Sequence, residues 1–296
     1  MAAVELSNKY GPVLGLKLGV DRIVVVGNLQ GIREFLSSED LTGRPNGPYF
    51  ELRTFGYRRG IITSDGELWA EQRRFVVRHL REFGFGRRNM SSMIEDEAEL
   101  MCQFLRDQIS KSPSATIQMD KMCGIHILNT LWMMLAGTRY KPEDMEMTRL
   151  QTILGELFKN IDMLGTTFGH YPFLIHVAPE FSGYNLYMQS HEPLWKFIGD
   201  EIENHKKTYI PDQNRDLIDV YLGMLNSESR PKTFTEKQLL AVCLDLFMAG
   251  SETTTKSFGF SFVYLLLYPE VQAKAQAEID RIVGRDRLPT LHDRPK

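Results

Sequence analysis

Cysteine is scarce in this sequence: Cys102, Cys123 and Cys243 are the only three in 296 residues. An odd number, lying far apart in segments of helical pattern, argues for a reducing compartment without a disulfide framework, and the close spacing of a zinc site is absent. An excess of one charge is missing as well. The 35 Lys+Arg nearly balance 38 Asp+Glu, so whole-chain electrostatics gives no reason to expect nucleic acid or an anionic surface as partner. The opening residues, MAAVELSNKYGP, have neither the basic start nor the apolar core of a secretion signal, and no membrane anchor is expected in them. Internal repeats, low-complexity tracts and a linker to a second independent domain are lacking too.

What is present is a core and a helical pattern. The hydrophobic fraction of 43% is that of a globular protein. Strand signals are confined to VLGLKLGVDRIVVVGN, where Val13–Leu18 and Arg22–Val26 read as a hairpin spanning about 13–26. From Asn28 onward the chain reads as helices and loops, giving a mainly α fold with a small N-terminal hairpin. Helices are expected at about Met90–Ser110, Ile117–Ala136, Pro142–Asn160, His191–Tyr209 and Arg215–Leu225. Two long aromatic loops, about Pro45–Ile62 and Thr166–Tyr184, are too rich in rings for mere connectors. A helix at about 65–83 is expected to open with a capping box between Ser64 and Glu67, and a central one at about 235–268 with a box between Thr235 and Gln238 and a staple of Phe234 on Leu239. Pro269 ends the central helix and begins the next, at about 269–283.

The central helix carries an anomaly. In DLFMAGSETTTKSFGF, small and polar residues interrupt an apolar run. A membrane span is excluded by Asp245, Glu252 and Lys256, each costing roughly 3 kcal/mol at a bilayer centre. Ala249 and Thr253 share one face with Gly250 and Thr254 adjoining, so a flat group can lie there. The Thr253 hydroxyl is placed to bond the Ala249 carbonyl and to open or bend the helix. With Glu252 nearby, the pattern is either close helix packing or proton delivery beside a cofactor. Upstream, Trp69 and Arg73 in WAEQRR lie four apart and form two donors for a carboxylate, unless they are a plain surface pair.

Taken together with KYGPVLGLKLG, TGRP, GIITSDGELWAEQRRF, HLREFGFGRR, RDLIDVYL, FTEKQLLAVCLDLFMAGSETT, YPEVQAKAQAEID and IVGRDR, in this order, the chain resembles the cytochrome P-450 family of heme-thiolate monooxygenases, in its animal microsomal branch. RTFGYRRG and LREFGFGRRNM look most like arthropod members, including those similar to juvenile-hormone-type epoxidases. The resemblance implies a helical P-450 domain and heme b as cofactor. It implies that Arg44, Trp69 and Arg73 hold a heme propionate, that Ala249 and Gly250 border the heme, and that Glu252 and Thr253 relay protons to bound dioxygen. It implies a pocket for a lipophilic small molecule, walled by the two aromatic loops with Phe247 and Met248. Electrons would come from NADPH through a cytochrome reductase, which the basic run Arg73, Arg74, Arg78, Arg81, Arg87 and Arg88 would help dock. The family's place is the cytosolic face of the endoplasmic reticulum membrane.

The resemblance breaks at the iron. The family's ligand cysteine, in a loop of the type Phe-x-x-Gly-x-x-x-Cys-x-Gly, is absent, and the helix that carries its bracing Glu-x-x-Arg pair is expected to begin just past LPTLHDRPK. Cys243 would approach from the dioxygen side, and Cys102 and Cys123 lie in apolar helices, so no metal ligand is assigned. The expectation is an incomplete domain, inactive and poorly stable by itself. A truncated, non-catalytic binding or regulatory isoform is the alternative, and a lipophile carrier that never used heme leaves WAEQR and AGSETT unexplained.

Overall fold

The computed structural model describes residues 2–112, 114, 116–160 and 166–294. Helix α1 (Ala2–Tyr10) leads into strands β1 (Val13–Leu18) and β2 (Asp21–Val26). These pair antiparallel, from Val13 opposite Val26 to Leu18 opposite Asp21. The rest is helical: α2 (Leu29–Ser37), α3 (Pro48–Leu52), α4 (Gly66–Glu82), α5 (Arg88–Lys111), α6 (Met119–Ala136), α7 (Met145–Asn160), α8 (Thr167–His170), α9 (Leu174–Val177), α10 (Tyr184–Thr208), α11 (Leu217–Asn226), α12 (Glu236–Leu267) and α13 (Pro269–Ile282). Among the described residues no helix is long and apolar enough to cross a membrane.

Helix α12, about 48 Å long at 1.5 Å per residue, is the axis of the molecule. Its first half is enclosed: Leu239, Val242, Cys243, Leu244 and Phe247 are fully buried, and Phe247 meets the rings of Trp132 at 5.4 Å and Phe197 at 5.7 Å. No residue of α12 beyond Thr255 is buried, and Phe260 and Leu266 stand 66% and 77% exposed. The helix therefore passes out of the core near its middle, at the anomalous stretch.

Several local readings are corrected by tertiary contacts. The Ser64–Glu67 capping box does not form. Asp65 is the N-cap of α4, and the Ser64 hydroxyl donates to the Gly60 carbonyl at 2.7 Å. At α12 half of the expected box exists: the Gln238 amide N–H donates to Thr235 Oγ1, but the Gln238 side chain reaches Gly60. Helix α10 begins seven residues before His191 and runs through Pro193. Proline removes one helical hydrogen bond, and the burial of Tyr187 against Tyr49 and Phe168 holds the helix together regardless. The two aromatic loops contain short helices, α3 in one and α8 and α9 in the other. They meet where Tyr187, at the start of α10, donates its hydroxyl to the Tyr49 carbonyl at 2.7 Å.

The segment before α4 is strapped to α12. Asp245, 2% exposed, accepts from Arg53 Nη2 at 2.5 Å and from the amides of Ile61 and Ile62 at 2.6 and 2.8 Å. Burial pushes its carboxyl up, while Arg53 and the two amides pull it back down. Gly60, with φ +80°, passes so close that a Cβ would stand 2.2 Å from Asp245 Oδ2; only glycine fits there.

Removing one partner of such a buried pair strands the other. Asp245→Ala is expected to cost about 3–5 kcal/mol of stability, read from the urea midpoint and slope. A second expectation concerns acid. Burial pushes the His191 ring down to about 4, and its Nδ1 lies 2.8 Å from the Tyr187 carbonyl, which fits a neutral ring donating there. Between an ordinary histidine pKa near 6.5 and pH 4, the unfolded chain takes up a proton that the folded one refuses, so stability falls as pH falls. His191→Phe, which keeps a ring between Tyr187 and Trp195, is expected to lose about 3 kcal/mol less than the parent between pH 7 and pH 4, measured by urea titration at each pH.

Candidate functional site

The site is built on α12 at the point where it leaves the core. The helix is continuous here, so the expected opening of its ladder is not seen. Serine and threonine hydroxyls bond back to the preceding turn: Ser251 Oγ to Phe247 O at 2.7 Å, Thr253 Oγ1 to Ala249 O at 2.7 Å, and Ser257 Oγ to Thr253 O at 2.9 Å. Each hydroxyl is thereby satisfied without a partner from another element. Ala249, Thr253 and Ser257, four apart, make an exposed face of little bulk.

The other members of the stretch point elsewhere. A Cβ on Gly250 would stand 2.6 Å from Leu131 Cδ2, so its small size serves the close approach of α6. Phe247 lies in the aromatic core and Met248 is 6% exposed, its sulfur 3.5 Å from Arg53 Nη2; the packing reading accounts for both. Glu252 is half-buried toward α7, with Oε1 3.4 Å from where a Gly155 Cβ would be and Oε2 3.8 Å from Lys256 Nζ. Glu252 and Thr253 line one cleft of about 1120 Å³, with Ile125 of α6 and Gln151 and Gly155 of α7. Thr253 also lines a second cleft of about 310 Å³, with Thr254, Ser257, Phe258 and Ser261.

Helix α4 buries Gln72, Val76 and Leu80. It is fixed by the Tyr221 hydroxyl donating to Gln72 Oε1 at 2.8 Å, and by Thr233 donating to Glu71. Residue Arg73 is exposed, with its guanidinium carbon 5.5 Å from the centre of the Trp69 ring. Among the described residues neither the Trp69 indole nitrogen nor the Arg73 guanidinium has a hydrogen-bond partner, and both are free to hold a carboxylate. Arg44 is brought to the start of the same helix, because its amide donates to Asp65 Oδ2 at 2.8 Å, while Arg58 closes a bidentate pair on Asp65 at 2.7 and 2.9 Å. Its Nε and Nη1 bond the carbonyls of Ile62, Thr42 and Gly43. Its Nη2 has no partner among the described residues.

These features fit heme in two respects, a helix face without bulk and a set of uncommitted carboxylate donors. They do not fit it at the iron. Cys243 is fully buried, and burial pushes its thiol up, away from the thiolate a metal needs. Cys123 is buried with its sulfur 3.7 Å from that of Met101, and Cys102 lies on α5. The importance of Asp245 and Gln238 escapes a reading of motifs; their signal is two polar residues seven apart on the apolar half of a helix.

The chain is 46% identical over 291 residues to the probable cytochrome P450 303a1 of Drosophila melanogaster, covering 97% of this chain and 58% of that protein. It is 38% identical over 289 residues to the farnesoate epoxidase of Bombyx mori, covering 97% and 57%, and 32% identical over 293 residues to cytochrome P450 2H2 of Gallus gallus, covering 98% and 58%. The chain thus spans less than three fifths of the length of these relatives. With the cytochrome P450 family model matching residues 1–296, and with an open α12 face and free donors on α4 to account for, the chain belongs to the cytochrome P450 family.

Proposed function

We propose that these residues form the carboxylate-holding and proton-delivering parts of a heme-dependent monooxygenase that hydroxylates or epoxidises a lipophilic substrate. The observation that carries the reading is the Thr253 hydroxyl, tied to the Ala249 carbonyl on an exposed face of α12, with the Glu252 carboxylate lining the same cleft. A helix kept only for packing has no need to leave such a face open. Heme, when bound, supplies the activation of dioxygen, which no side chain here provides.

Trp69, Arg73 and Arg44 would hold the heme carboxylates, Arg73 through the paired donors of its guanidinium and Arg44 through Nη2. Thr253 Oγ1 keeps its lone pairs free beside its bond to the Ala249 carbonyl, so it can accept a proton from Glu252 as its own hydroxyl proton leaves that carbonyl for a group bound in the cleft. Glu252, lining the same cleft with Lys256 beside it, is the acid that resupplies the threonine. The iron thiolate has to come from residues other than Cys102, Cys123 and Cys243. Electrons come from NADPH through a cytochrome reductase, steered by the exposed Arg74, Arg78, Arg81, Arg87 and Arg88 at the corner of α4 and α5. The two aromatic loops wall the substrate pocket. The working place is the cytosolic face of the endoplasmic reticulum membrane.

A second reading, a non-catalytic binding or regulatory protein, draws on the three unsuitable cysteines. Two measurements decide. In the first, the purified 296-residue chain is supplied with heme and reduced under carbon monoxide. No thiolate-type difference spectrum is expected, and its appearance would eliminate the non-catalytic reading and the assignment of these cysteines together. In the second, Thr253→Ala is placed in the heme-loaded, thiolate-ligated protein. Product formation is expected to fall by about 100-fold while NADPH consumption continues. Product and consumption falling in step would sink the relay.

A further inference from the structure

Residues Gln238 and Asp245 lie seven apart on α12, two turns along one face, and both are 2% exposed. Together they grip three consecutive residues of the strap before α4. The Gln238 amide closes on Gly60 from both sides, accepting from its N–H at 3.2 Å and donating to its carbonyl at 3.1 Å. Asp245 Oδ2 takes the next two amides, of Ile61 and Ile62, while Oδ1 holds Arg53. Every peptide plane from Gly60 to Ile62 is thereby tied to a buried side chain of α12.

The carbonyl at the end of this strap is the one that Arg44 uses. Ile62 O accepts from Arg44 Nε at 3.1 Å, and Arg44 Nη1 spans the carbonyls of Thr42 and Gly43 at 2.9 and 3.2 Å. One edge of the guanidinium is thus pinned to backbone, while Nη2 remains uncommitted among the described residues. Releasing the strap lets the Ile62 carbonyl turn and removes the Nε anchor, so the guanidinium keeps only its Nη1 bonds to Thr42 and Gly43 and swings about them.

We infer that Gln238 and Asp245 are positioning residues for Arg44: acting through the Gly60–Ile62 strap, they fix the guanidinium for a cofactor carboxylate. The inference rests on the proposed role of Arg44 and extends it, because one rigid helix then sets both the carboxylate donor and Thr253, eight residues beyond Asp245. A fixed donor is worth more than a mobile one, since the side-chain entropy is already spent before the ligand arrives.

The test is the rate of heme loss from the heme-loaded protein to an excess of apomyoglobin. Arg44→Ala is expected to speed loss by about ten-fold, the scale of one hydrogen bond to a charged group. Gln238→Met, close in size and without the two strap bonds, is expected to speed it several-fold in the parent and to add nothing in the Arg44→Ala background. Gln238→Glu, which keeps the acceptor for the Gly60 amide, should fall between parent and Gln238→Met. Equal acceleration in both backgrounds overturns the positioning role alone, because the glutamine then acts on the fold at large. An Arg44→Ala protein that keeps heme as well as the parent overturns the reading of Arg44 and the inference with it. Asp245→Asn, which retains one acceptor, repeats the cycle if Gln238→Met fails to fold.

Discussion

The grip of Asp245 on Arg53 and on the amides of Ile61 and Ile62 is the interaction on which the rest of the site depends. A carboxylate that is 2% exposed is tolerable only when its oxygens are filled by donors. Here the donors belong to a segment nearly two hundred residues away in sequence. The strap cannot move without leaving a charge bare in the core, and α12 cannot rotate without losing the strap. Arg44, the N-cap Asp65 and the start of α4 follow from that one constraint, because each is bonded to the strap or to its neighbours.

From this frame the two halves of the candidate chemistry acquire their separate characters. Helix α4 is clamped from behind by Gln72 and Tyr221 and presents donors that nothing in the described chain consumes. Helix α12 supplies the opposite: hydroxyls already satisfied within the helix, on a face of little bulk. The first suits binding of a charged edge. The second suits a hydroxyl that exchanges protons without changing its place. Glu252 adds a carboxylate at the border between core and cleft, with Lys256 Nζ 3.8 Å from its Oε2.

Much of this was legible in the sequence, for reasons that differ between elements. The hairpin follows from two β-rich runs on either side of a glycine turn, and the end of α12 from Pro269, both local effects. The Trp69–Arg73 pair and the Ala249–Thr253 face follow from helical spacing, which fixes direction once the helix is granted. What failed was local logic where burial overrides it. Ser64 has the spacing for a capping box but bonds Gly60 instead, since the strap brings that carbonyl nearer. Tyr184 and Tyr187 extend α10 beyond the expected start at His191 because ring packing outweighs one missing hydrogen bond. Phe247, given to the pocket by the family resemblance, packs its ring against Trp132 and Phe197, contacts that no local pattern foretells.

The sequence by itself determined the family, through motifs in a fixed order, and the helical class, through short-range periodicity, and it singled out the residues proposed for carboxylate binding and proton transfer. Only the tertiary structure decided which way each residue of the AGSETT stretch points: Gly250 to α6, Glu252 to the α7 side and Thr253 to the open face. It alone revealed that Gln238 and Asp245 hold the strap beneath Arg44. The physical reason is distance along the chain. A buried carboxylate and its donors are matched by folding, and no local pattern in either segment records that the other will be there.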